Sequence, residues 1–255
     1  MSLLVIATIL LCGLLCGPAH ADLAAAERAY GEGRWQAAAE AAQGEGDADG
    51  YAYAARALLA QLMVEPDHPD RAALVERAAG LAERALELDA ANVEARIRLA
   101  TALGYRGRQM SNWRAYFNRL PQRGKDLLDE AVAAEPDNAW ARGLLGAWHL
   151  EIARRGGTRG LHMFGASIES GIAHYRAAIA LDPGNPAPRY FMAIGLAALD
   201  DPAFLPLARE QVGIVLALPA RDAFDAGIQA EARRFAERLG DPSAAASWAS
   251  ARMAR

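Results

Sequence analysis

The chain has 255 residues, a formal net charge of −4 and 53% apolar residues, which allows one large domain, two small ones, or a repeat array without a single core. So small a charge gives no bulk attraction for nucleic acid, so no nucleic-acid partner is expected. Alanine supplies much of the apolar quota and favours close-packed helices, while Val/Ile/Thr runs are nearly absent after the first fifteen residues, leaving a β-sheet little to build on.

The first element is an apolar run, Leu3 to Leu15, that meets Gly17-Pro18-Ala19-His20-Ala21. Ala19 and Ala21 fit the small-x-small pattern of a signal peptidase site, and the Gly-Pro pair breaks the helix just before it. The run is shorter than the roughly 20 residues a membrane span needs. Residues 1–21 are therefore expected to be a signal peptide, cleaved after Ala21, with the mature chain in the periplasm. Cys12 and Cys16 both lie inside this segment and both follow leucine, where a lipoprotein signal needs a small residue. The mature chain is expected to carry no lipid anchor, no disulfide and no thiol nucleophile.

Residues 22–48 read as a short helix pair broken at Gly31-Glu32-Gly33. Residues 50–63 and 70–88 read as the next pair, separated by Pro66-Asp67-His68-Pro69. From there the chain repeats itself. Ala85 to Arg96, Ala131 to Arg142 and Ala178 to Arg189 align without gaps, and Asn92, Asn138 and Asn185 are spaced 46 and 47 residues apart. In each stretch the apolar residues before an acid end one helix, Pro136 and Pro183 prevent its continuation, and the asparagine is a good N-cap for the next. So short a turn makes successive helices antiparallel. Residues 202–218 pair with 186–199. Helix 221–239 carries Phe224, Ile228, Ala232 and Phe235 on one face, which suits a terminal cap with one wet side, and Ser243 to Arg255 form a short helix or a tail.

These junctions resemble those of tetratricopeptide (TPR) repeats. Leu99-Ala100, Leu145-Gly146 and Met192-Ala193 match the large-small pair of that family's first helix. Ala78, Gly124 and Gly171 match the small residue of its second helix, where lack of a side chain lets two helices approach closely. The resemblance implies an all-α fold: a right-handed α-solenoid of antiparallel TPR-like helix pairs over residues 49–220, with short helical inserts, then a capping helix and tail over 221–255. It implies a protein-binding surface and no cofactor. The chain departs from the family in length, about 46 residues per repeat against 34. The excess falls between the two helices of a unit.

The two inserts are the candidate binding site. The first region holds Arg96, Arg98, Arg106, Arg108, Arg114, Arg119, Arg123 and Lys125, with Tyr105, Trp113, Tyr116 and Phe117 among them and no acid. The second holds Arg154, Arg155, Arg159, His162, Met163 and Phe164, with no acid before Glu169. Both leave the same side of neighbouring repeats, so they should lie side by side. The expected partner-binding residues are Arg106, Arg108, Trp113, Arg114, Tyr116, Phe117, Arg119, Arg155, Arg159 and Phe164. Such a ridge suits an acidic protein, an anionic polymer or lipid head groups. The competing structural reading packs these aromatics back onto the solenoid, with the arginines solvating them.

Arg96, Arg142 and Arg189 each follow an acid by seven residues (Asp89, Glu135 and Asp182), which suggests repeated ion pairs across the turns. The histidines form no metal-ligand motif, although His162 and His174 could converge. No phosphate loop or nucleophile elbow is present, and Gly156-Gly157-Thr158-Arg159-Gly160 reads as a helix reversal. The reading is an exported interaction scaffold. One rival is an accessory protein of a solute transporter, since the exported helix pairs also resemble the T-component of TRAP transporters; a ligand cleft lined by the inserts would favour it. The other is a helical enzyme built on Glu151, Glu169, His162 and His174.

Overall fold

The structure is a computed structural model that describes residues 23–255. The expected signal peptide, with its cleavage after Ala21 and both cysteines, lies outside the described residues. Among those described, the chain is entirely helical apart from turns. The helices are α1 (Ala24–Gly31), α2 (Trp35–Gly44), α3 (Ala48–Val64), α4 (Arg71–Leu88), α5 (Val93–Arg108), α6 (Asn112–Phe117), α7 (Leu120–Ala134), α8 (Ala139–Phe164), α9 (Ile168–Leu181), α10 (Pro186–Ala197), α11 (Leu205–Ala217), α12 (Ala223–Ala236) and α13 (Pro242–Met253). Neighbours in sequence pack as pairs: α1 on α2, α3 on α4, α5 on α7, α8 on α9 and α10 on α11. No described helix is long and apolar enough to cross a membrane.

The three repeat junctions have one geometry. The amides of Asp89, Glu135 and Asp182 close the preceding helix on Ala85, Ala131 and Ala178. The amides of Asn92, Asn138 and Asn185 then bond back to the same three acids' carbonyls, each at 3.1 Å. The asparagine side chains cap the next helices, accepting from Ala95, Ala141 and Ala187 at 2.8, 3.0 and 3.0 Å. Each cap satisfies an amide that the first helical turn leaves open.

The ion-pair ladder does not form. Arg96 donates to the Ala90 and Ala91 carbonyls and pairs with Glu130 instead of Asp89, Arg142 donates to the Pro136 carbonyl, and Arg189 to Gln211. The physical reason is local. The acids are taken up within their turns or elsewhere, with Asp89 accepting from Ala91, Glu135 from Asn138, and Asp182 paired with Arg221. At two of the three junctions the turn carbonyls, left open by the helix end, are the arginine's acceptors.

The C-terminal helices differ from a free cap. Helix α12 packs against α1, α3 and α10, and α13 packs against α10. Phe224 sits within ring contact of Tyr30 and Trp140, at 6.3 and 5.9 Å. Gly227 is required here, because a Cβ would lie 2.6 Å from Val64 Cγ1. Arg252 donates to the Met63 carbonyl at 2.5 Å and to Glu231 at 3.0 Å, both side chains buried. The end of the chain thus folds back onto the interior of its own first half, and one continuous core runs from Tyr30 and Trp35 through Tyr190 to Phe235.

Candidate binding cleft

The site follows from how two successive helix pairs meet. In the pair α8/α9 the small residues act as expected. A Cβ on Gly146 would lie 2.7 Å from Tyr175 Cδ2 and 2.9 Å from the Gly171 carbonyl, and one on Gly171 would lie 3.0 Å from Leu150. In the pair α5/α7 they do not. The family pattern expects Gly124 to permit close helix contact, yet nothing lies within 4 Å of a Cβ there, nor at Gly104. The missing side chains leave room instead of being filled by a neighbour. A cavity of about 700 Å³ opens between α5/α7 and α8, bounded below by Tyr175 of α9 and by Pro188 and Phe191 of α10. Its walls are mostly apolar, among them Leu103, Leu128, Trp140, Leu144, Ala147 and Trp148.

The inserts form its mouth, and they do lie side by side. The first is α6, capped by Ser111, whose hydroxyl accepts from the Arg114 amide. It hands on to α7 through Arg119, which takes the left-handed conformation at φ 54°. The second is the outer part of α8, which breaks at Gly157 (φ 53°, ψ −153°), a conformation that favours glycine, and then continues to Phe164. Arg155 joins the two. Its guanidinium donates to Asn112 Oδ1, the Gly107 carbonyl and the Met110 carbonyl at 2.9, 2.7 and 2.8 Å, and Asn112 Nδ2 donates back to the Arg155 carbonyl. Trp148 Nε1 donates to the Pro121 carbonyl at 2.9 Å, fixing the start of α7 against α8.

The candidate residues therefore divide. Arg106 is held bidentately by Glu76, and Arg155 is committed to the insert clamp. Arg108 lies over the Tyr105 ring, 5.2 Å from its centroid, and 3.8 Å from Glu151. The side chains of Arg114, Arg119 and Arg159 engage no acceptor among the described residues. Tyr105 is buried and Phe164 half-buried, packing back on the fold, with Phe164 within ring contact of Tyr116 and Trp148. Trp113 and Phe117 are 71% and 73% exposed, so packing does not account for them.

The polar groups beside the cleft are engaged with one another. Burial pushes the Glu151 carboxyl up, but Arg108 and Arg154 outweigh it and hold the group below the usual carboxylate range, with Arg154 bonded at 2.8 and 2.9 Å. A carboxylate so neutralised makes a poor proton donor or acceptor. His174 stacks on His149 at 5.6 Å rather than meeting His162. Among the described residues no group of three or more His, Cys, Asp or Glu could hold a metal ion. Sequence reasoning singled out the inserts, and Glu151 as a candidate acid, but not the cavity behind the inserts or Trp140 and Tyr175 in its walls. The available signal was the glycines of α5 and α7, which read alike whether they admit a helix or leave a void.

The sequence profile of a family described as regulator of microtubule dynamics protein 1-3 matches residues 36–240. Among solved structures, the crystal structure of a thermophilic TPR protein from Thermus thermophilus is similar in fold. It shares 18% identity and a TM-score of 0.56, over 83% of this chain and 97% of that one. A comparison with curated proteins finds no match.

Proposed function

Since the chain belongs to the regulator of microtubule dynamics protein 1-3 family, we propose that it is an interaction scaffold that uses the cleft beneath its inserts as the binding surface. The observation that carries this is the cleft itself: about 700 Å³, apolar-walled, with exposed aromatics at its mouth. The surface of α1, α3 and α10, which a helix-pair array could offer to a partner, is partly taken by α12 and α13. The family name describes its members as regulators, and a helix-pair array offers extended surface for binding.

On this reading the mature chain starts at Asp22 and works in the periplasm without a lipid anchor. N-terminal sequencing of the protein recovered by osmotic shock should begin at Asp22; retention in the membrane fraction would contradict this. The binding test is crosslinking of the mature protein, repeated with Arg114→Glu, Arg119→Glu and Arg159→Glu combined. Loss of a specific crosslinked partner supports the reading, and an unchanged partner set contradicts it.

The same cleft favours a second reading, an accessory protein that carries an apolar ligand for a solute transporter, because its volume falls in the small-molecule range. Native mass spectrometry distinguishes the two. A bound small molecule released on denaturation supports the carrier, and a bare monomer that still crosslinks a protein supports the scaffold.

A further inference from the structure

We propose that the occupant of the cleft is an acidic amphipathic helix of a partner protein, its apolar face in the cavity and its carboxylates on Arg114, Arg119 and Arg159. This rests on reading the cleft as the binding surface and adds the chemistry of what enters it.

Exposed apolar groups are concentrated at the mouth of the cleft. Four of the seven large apolar side chains exposed among the described residues gather at this mouth: Trp113, Tyr116, Phe117 and Met163. Trp113 and Phe117 stack at 5.9 Å, and Tyr116 meets Phe117 edge-on at 5.7 Å. Trp113, Tyr116 and Met163 also line the cavity, so the outer strip and the interior are one continuous apolar surface. Aromatic residues and arginine are the types enriched at protein interfaces.

Charge at this edge is one-sided. The chain as a whole carries −4, yet no acid occurs from Arg96 to Lys125 or from Ile152 to Ile168. Most cations of the edge are already engaged, which leaves three arginines beside the apolar strip without an acceptor among the described residues. A partner that brings carboxylates to them completes their pairing, and a basic partner is repelled.

Shape separates the candidate occupants. A flat lipid surface would meet Trp113 and Phe117 but leave the cavity behind them unfilled. A helix presenting a row of large apolar side chains at i, i+3, i+4 and i+7 fills both the strip and the interior, with acids on its flanks over the arginines.

The test uses two labelled synthetic helices of roughly 18 residues, with leucines along one face and either glutamates or lysines on the flanks. Binding to the mature protein is followed by fluorescence anisotropy. The glutamate helix should bind about tenfold or more tightly than the lysine helix and weaken as salt is raised. Combined Arg114→Glu, Arg119→Glu and Arg159→Glu should reverse that preference; these side chains have no partner among the described residues, so thermal melting should stay unchanged. Equal binding of the two helices overturns the proposal, as does binding of phosphatidylglycerol vesicles but of neither helix. A neutral apolar dye, N-phenyl-1-naphthylamine, separates the two levels. Dye binding without glutamate-helix binding overturns the acidic helix and leaves the cleft standing, whereas binding of neither overturns both.

Discussion

At the scale of single residues, three glycines and a histidine show how local geometry decides the outcome. A Cβ on Gly146 would press on the Tyr175 ring and on a backbone carbonyl, so Gly146→Ala should destabilise the protein by about 1–3 kcal/mol in urea titrations. Gly171 faces Leu150 almost as closely. Gly124 meets nothing, so Gly124→Ala should raise stability by up to about 1 kcal/mol through helix propensity alone. His149 is buried, and its Nδ1 accepts from the Ser167 amide at 3.2 Å, which requires that nitrogen to be unprotonated. Burial first, then His174 and Lys125, push it down to about 4, against the opposing pull of Asp129. His174 is lowered too, by burial and Arg142. With the folded value below the ordinary 6.5, the unfolded chain takes up the proton first as pH falls. Stability from His149 is therefore complete above about pH 6.5 and is lost toward pH 4. The urea midpoint should drop between pH 7 and 4.5 by the equivalent of about 2 kcal/mol, after discounting for solvent screening. His149→Asn should flatten that pH dependence; an unaltered profile would count against the assignment.

At the scale of elements, the repeat junctions and the inserts were legible in different degrees. Asn92, Asn138 and Asn185 are caps because a short acceptor at that place satisfies an open amide, and sequence carries that signal directly. Asn138→Ala should cost about 1 kcal/mol, read from the thermal or urea transition. The inserts were legible as extra residues on one edge, and their contact through Arg155 follows from the common edge. Which arginines stay unpaired was not legible, because Glu76 and Glu151, which engage Arg106 and Arg108, come from other helices. Arg155→Lys should loosen the clamp, since a single ammonium cannot reproduce a planar fork on three oxygens. Hydrogen exchange in α6 should then speed up while the core helices keep their protection. The arginine ladder was misread because spacing alone does not say whether a side chain or an open carbonyl lies nearer.

At the scale of the whole molecule, the chain is a helix-pair array closed by its own end. That closure was hidden in the sequence, because an apolar stripe on α12 looks the same on a wet cap as on a helix held between others. Buried Glu231 and Arg252 are intelligible only with Met63 beside them, far away in sequence. Arg252→Ala should cost about 3 kcal/mol by leaving Glu231 short of a buried partner, whereas Arg234→Ala, on an exposed arginine paired with the same carboxylate, should cost under about 1 kcal/mol. The closure covers part of α1, α3 and α10, while the gap between α5/α7 and α8 stays open and mostly apolar-walled. The most direct test of that claim is titration of N-phenyl-1-naphthylamine into the mature protein and into Gly124→Leu, which adds bulk at a cavity-lining glycine whose Cβ would have no neighbour within 4 Å. The cleft account predicts saturable fluorescence enhancement that Gly124→Leu weakens about tenfold, with thermal melting unimpaired. Equal enhancement in both proteins would contradict it.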